Sequence, residues 1–204
     1  MNIKIDAKQL NDSIMESWHK MSNLASDYKN EIAKTERYKR EAAQRVRDGE
    51  WGGALDYQDY IKHTDADLAA YAEKYKANMD ELMAQSKNAI HMYFKADPES
   101  ISTSQIEVLK AMDFREDEYE QMMSEAIKTN PTYARLIASS AAAHGHERFG
   151  YIDTVEMAEK MCASVEEFGR YCDSLATEKD GAMSDNWGAI VSTLASSLHG
   201  IMEL

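Results

Sequence analysis

His144-Gly145-His146-Glu147 is the stretch of this chain best equipped to hold a metal ion. Imidazole nitrogens and a carboxylate are good zinc ligands, but a closed site takes four of them at loop or helix spacings that this stretch lacks. The only cysteines, Cys162 and Cys172, lie well downstream and form no Cys-x-x-Cys pair. Two histidines beside a glycine read more simply as the polar end of a helix. No metal and no cofactor is expected.

The cysteines do not read as a disulfide either. Ten residues apart on one helix, they lie roughly 15 Å from each other at 1.5 Å rise per residue, too far to be bridged. Free thiols indicate a reducing compartment. The chain has no glycine-rich phosphate loop, no nucleophile elbow and no His-Glu-x-x-His helix. Glu116, Asp117, Glu118 and Glu120 are consecutive enough to be a solvated helix face rather than a two-metal site. No catalytic residue is assigned, and a non-enzymatic role is expected.

One segment could grip an anion. Lys34, Arg37, Lys39, Arg40, Arg45 and Arg47 stand against Glu36 and Glu41, a net of +4, with Tyr38 among them. Such a helix could follow a phosphate backbone. It could equally pair with Asp113–Glu125, where six acids and one arginine net −5, in the same chain or a neighbour. Pairing is the favoured reading.

The elements that position these residues are helices. Pro98 and Pro131 are the only prolines, and Ala, Glu, Met, Lys and Leu fill the long stretches at little conformational cost. Residues 9–47 carry Ile14, Trp18, Met21, Ala25, Tyr28, Ile32, Thr35, Lys39, Ala42 and Val46 at alternating four- and three-residue steps. That is a coiled-coil-like seam, weakened at Thr35 and Lys39. Three glycines between Asp48 and Gly53 break it. A second seam runs over 54–94 through Ile61, Asp65, Leu68, Ala72, Tyr75, Met79, Leu82, Ser86, Ala89 and Tyr93.

Two seams of equal length joined by a short turn predict an antiparallel hairpin. Asp97-Pro98 ends it. Shorter helices are expected over 102–112, with Ser102 as cap, over 116–128, and from Asn130-Pro131 to about Gly145. Asp153 heads a further helix to about 178, and a last one spans 184–202 with Trp187, Ile190, Val191, Leu194, Leu198 and Ile201 on one face. Met122, Met123, Met157 and Met161 fall at spacings that suit core filling. The expected fold is all-α: a long antiparallel helical hairpin over 1–97, then a compact acidic helical bundle over 98–204.

Charge follows the same division. The chain nets −13, split as +1 over 1–50, −3 over 51–97 and −11 over 98–204. An acidic second half argues against nucleic-acid binding by that half. A solvated surface is its plain reading, and a DNA-mimicking surface the sharper one. No stretch reads as a secretory signal or reaches the length of a membrane span.

The hairpin resembles the WXG100 substrates of type VII secretion. Trp51-Gly52-Gly53 stands at the turn as their Trp-x-Gly does, and Tyr93 with Asp97 matches their Tyr-x-x-x-Asp export signal. The further hundred residues depart from that family. The stretch from Ile106 to Met112, then Phe114 to Lys128, Asn130 to Leu136 and His144-Gly145, is similar to a pattern in small acidic helical proteins of phages and prophages of Gram-positive bacteria. That resemblance implies a phage-region protein of about this whole length, with no established activity.

The expectation is therefore a non-enzymatic phage-type interaction protein, scaffold-like or capsid-associated in virion assembly. The alternatives are an acidic host-defence antagonist and a type VII substrate or partner. Protein partners are expected, self-association first, with nucleic acid a lesser choice and no membrane. The expected location is the bacterial host cytoplasm or the virion, and outside the cell only under the export reading. Trp18, Met21, Tyr28 and Tyr75 are too large and apolar to be left exposed on a thin hairpin and are expected at a self-association seam, with the C-terminal bundle as the alternative cover. Arg37, Arg40 and Arg45 are expected at a charged contact, Trp51 and Gly53 at the turn, and Tyr93 and Asp97 at the export signal.

Overall fold

The computed structural model describes residues 6–51, 53–146 and 154–177. Among them the chain is all-α, with no strand. The helices are α1 (Ala7–Arg47), α2 (Ala54–Phe94), α3 (Thr103–Ala111), α4 (Glu116–Thr129), α5 (Pro131–Ala143) and α6 (Thr154–Thr177), with a 3-10 turn at Pro98–Ser100. The expected helix from 184 and the Asp153 cap lie outside the described residues.

Helix ends follow local chemistry. Asp6 opens α1 with a reciprocal cap: the Gln9 amide donates to Asp6 Oδ1 at 2.7 Å and the Asp6 amide to Gln9 Oε1 at 3.1 Å. Ser102 and Gln105 do the same for α3, as expected of Ser102. Two glycines with positive φ close helices. Gly49 (φ 73°) follows α1, where the Glu50 amide donates to the Arg45 carbonyl and the Gly49 amide to that of Val46. Gly145 (φ 93°) follows α5 with the same pair of bonds, from His146 to Ala141 and from Gly145 to Ala142. Both are Schellman motifs, in which glycine takes the left-handed position without a Cβ penalty.

α1 and α2 pack as the antiparallel hairpin. Tyr28 stacks on Tyr75 with ring centroids 4.6 Å apart, and Lys39 pairs with Asp65. Eleven residues forward on α1 answer ten back on α2, the register of an antiparallel pair. Lys39 and Asp65 are the charged residues that interrupt the two seams, and they neutralise each other. Hydrogen bonding to Asp65 holds the Lys39 ammonium above the usual lysine range.

The packing groups residues into two compact units that are discontinuous in sequence, whereas the charge profile divides the chain at 97. Of the described residues, one unit holds 17–51, 53–83 and 168–177, and the other 6–16, 84–146 and 154–167. In the hairpin unit the C-terminal end of α6 packs on both arms. Phe168 stacks on Trp18 at 4.4 Å with planes 7° apart, and the Tyr75 hydroxyl donates to Asp173 Oδ1 at 2.8 Å. Gly169 lies against Met83, so close that a Cβ there would collide with the thioether.

In the other unit α4 packs on α5. Ala134, Ile137, Ala138 and Ala141 are buried along one face of α5, and Tyr119, Met123, Ala126 and Ile127 along one face of α4. Small residues at this spacing let the two backbones approach. Met123 and Met161 are core residues, as their spacing suggested.

Candidate interaction surface

Much of the basic segment is exposed on the outer face of α1. Opposite its buried seam, Asn30, Ala33, Lys34, Arg37, Arg40 and Glu41 line an open depression of about 620 Å³. Lys34 pairs with Glu31 at 3.1 Å and Arg37 lies 3.6 Å from Glu41. The Arg40 Nε donates to the Glu36 carbonyl at 3.2 Å, and among the described residues Arg40 has no carboxylate partner. Tyr38, 37% exposed, has the Arg37 guanidinium 5.4 Å from its ring centroid.

At the hairpin tip Arg45 lies 5.2 Å over the Trp51 ring and 3.7 Å from Glu50. Trp51 meets Tyr60 and Tyr57 edge-on, at 5.3 and 6.1 Å. Beside this cluster Leu55 is 76% exposed and Val46 39%. Gly53 is exposed in the turn, just before α2. Among the described residues the basic segment draws its acid partners from Glu31, Glu41, Glu50 and Asp65, all within the hairpin.

The acidic stretch does two jobs. Glu116, Asp117 and Glu118 stand in the first turn of α4, where carboxylates complement the helix dipole. Glu118 accepts from the Arg115 amide at 2.8 Å, and Asp117 pairs with Arg115 at 3.2 Å. Glu116, Asp117 and Glu120 remain solvent-exposed.

Several sequence expectations need correction. Trp18, Met21 and Tyr75 are buried, and α6 covers Trp18 and Tyr75 by the contacts already described. Tyr28 is half-buried between Tyr75 and Tyr71. A second chain is therefore not needed to hide this seam. Val46, expected to extend the seam, is instead exposed at the tip.

Tyr93 is buried too, and its hydroxyl donates to the Ile127 carbonyl at the end of α4. The Asp97 amide donates to Thr132 Oγ1 at 2.8 Å, while Ser100 Oγ donates to the Asp97 carbonyl at 2.6 Å and reaches Asn130 Oδ1 at 3.1 Å. Asn130 in turn caps α5, accepting from the Tyr133 amide. Tyr93 and Asp97 thus fasten the end of α2 and the turn after it to the α4–α5 junction.

His144 and His146 stand at the C-terminal end of α5, the polar helix end their place beside Gly145 suggested. His144 Nδ1 lies 2.9 Å from the Ser140 carbonyl and 3.1 Å from the Tyr119 hydroxyl, and His146 Nε2 is 3.3 Å from Asp113. Among the described residues no group of His, Cys, Asp or Glu could hold a metal ion. Cys162 and Cys172 are free thiols. Cys162 Sγ lies 3.7 Å from His91 Nε2, and burial pushes its thiol up rather than activating it. Among the described residues no helix is long and apolar enough to cross a membrane.

No family, curated protein or solved structure matches this chain.

Of the two covers open to the seam, a second chain or the C-terminal bundle, α6 of the bundle is the one seen on Trp18 and Tyr75. Its signal was present: Ala158, Met161, Val165, Phe168, Cys172 and Ala176 recur at three- and four-residue steps and are all buried. The stripe was legible, but not that its second half belongs to the hairpin.

Proposed function

We propose that this chain is a non-enzymatic interaction protein of phage or prophage type. It acts through helix–helix contacts between copies of itself, in a scaffold-like or capsid-associated role in virion assembly. The observation that carries the interaction reading is the hairpin tip. The fold buries Trp18, Met21 and Tyr75, yet leaves Leu55 and Val46 in solvent beside Trp51, Tyr57, Tyr60 and Arg45. Aromatic residues and arginine around an exposed aliphatic side chain are the composition of binding hot spots. The phage setting rests on the sequence pattern from Ile106 to Gly145.

The other readings have less support. Three acids of α4 already serve its N-terminal turn, which accounts for their clustering without a DNA-mimicking role. An export signal needs Tyr93 accessible, and Tyr93 is buried.

Sedimentation velocity from low to high micromolar concentration tests the proposal. The wild type is expected to form larger species as concentration rises, and a Val46→Glu/Leu55→Glu variant to remain smaller with unchanged helix content. A wild type that stays monomeric throughout would reject self-assembly.

A further inference from the structure

We infer that the basic depression on α1 docks the acidic first turns of α4 from a second copy of this chain. The inference rests on the self-assembling reading above, but on different residues from the tip. Lys34, Arg37 and Arg40 line the depression over about two turns of α1. Among the described residues Arg40 has no carboxylate partner, and Arg37 has one, Glu41 at 3.6 Å. Glu116, Asp117 and Glu120 are exposed over little more than one turn of α4, which fits within that span. The segments that carry the two faces net +4 over 34–47 and −5 over 113–125.

Opposite faces on one chain make a heterologous contact. One copy offers its basic face to the acidic face of the next, and its own acidic face stays open for another. Such contacts build rings or open chains rather than closed two-fold dimers. The attraction is electrostatic, so it speeds encounter and selects partners more than it supplies affinity. It weakens with salt, because exposed charges are screened beyond roughly 8–10 Å near physiological ionic strength.

The test uses two variants of the full chain at low salt, Arg37→Glu/Arg40→Glu and Glu116→Lys/Glu120→Lys, with circular dichroism as the check on folding. Each alone is expected to associate about tenfold more weakly than the wild type, since reversing two exposed pairs turns attraction into repulsion. Mixed in equal amounts they should associate again, because the reversed α1 of one now meets the reversed α4 of the other. If the α4 reversal disturbs the helix, Glu116→Gln/Glu120→Gln removes the charge while keeping size and hydrogen bonding, and should weaken association to a smaller extent.

Wild-type-like association of both variants would overturn the inference while leaving self-assembly through the tip standing. So would weak variants whose mixture does not recover. Loss of a wild-type mobility shift on short duplex DNA in the α1 variant alone, with self-association intact, would assign the depression to nucleic acid instead. A wild type that is monomeric at low salt would overturn both this contact and the self-assembly reading.

Discussion

The Tyr75 hydroxyl and the Asp173 carboxylate meet at 2.8 Å although 98 residues separate them in the chain. This bond ties the second arm of the hairpin to α6, and Tyr75 also carries the stack with Tyr28. Burial, and then the bond itself, raise the Tyr75 phenol above the tyrosine range. Asp173 is exposed, so water can replace the hydroxyl when it is removed. Tyr75→Phe keeps the ring and is expected to cost about 1 kcal/mol in urea unfolding. Tyr75→Ala also loses the stack and should cost about 3–5 kcal/mol. Equal losses for the two variants would mean that the hydrogen bond, not the ring, dominates.

Trp18 presents a different balance. It is 1% exposed and stacked on Phe168, but its indole Nε1 is buried without a hydrogen-bond partner among the described residues. An unsatisfied buried donor costs about 1–3 kcal/mol. Trp18→Phe removes that cost while losing part of the ring volume, so the two changes offset. The expected loss is under about 1.5 kcal/mol, against about 3–5 kcal/mol for Trp18→Ala. A Phe variant as unstable as the Ala variant would show that shape, not polarity, governs the position.

At Gly169 two effects oppose each other. A Cβ there collides with the Met83 thioether, but a methionine side chain can move aside. Replacing a glycine inside a helix by alanine gains about 1 kcal/mol. Gly169→Ala should therefore fall within about 1 kcal/mol of the wild type. Gly169→Leu cannot be accommodated by Met83 alone and is expected to lose about 1–3 kcal/mol as α6 is pushed from α2. Thermal unfolding of the three proteins decides between these outcomes.

High pH should unfold the chain through buried groups that resist ionisation. Burial pushes the Cys172 thiol from 9.0 up to about 12 and the Tyr93 phenol from 10.0 up to about 12. Both folded-state values are raised, so the folded chain keeps protons that the unfolded chain releases. Their contribution is complete below pH 9 and is lost as pH rises from there to about 12. The slope is about 1.4 kcal/mol per pH unit for each group that differs. Urea midpoints should fall above pH 9, and Cys172→Ala should make the fall shallower whatever it does at neutral pH. A midpoint that does not change with pH in this range would contradict the burial of both groups.

Helix positions were legible because they are set locally. The Ala54 and Phe94 limits of α2, the Ser102 cap and Pro131 at the start of α5 each follow from a few neighbouring residues. So does the break after Arg47, where Gly49 supplies the left-handed turn. Asp6 and Gln9 carried an equally readable cap that the sequence reading passed over. The roles of the motifs were less legible. Tyr93 and Asp97 match an export pattern by spacing, and His144 and His146 match metal ligands by type. Spacing and type say nothing of burial, and burial made Tyr93 part of a joint. The histidines are the helix end that Gly145 beside them suggested, closed by a Schellman motif.

By itself, then, the sequence determined an all-α chain, most helix limits among the described residues, the hairpin and the opposite charges of its segments. Each of these depends on backbone preferences or on periodicity within one stretch. Only the tertiary structure decided what covers each apolar stripe. A stripe such as Trp18-Met21-Ala25 requires burial, but the hydrophobic effect is non-directional and scales with area rather than with partner identity. A second copy, α2 or α6 would each satisfy it. Phe168 and Asp173 settled the matter by fitting Trp18 and Tyr75, through stacking and one hydrogen bond between residues distant in the chain.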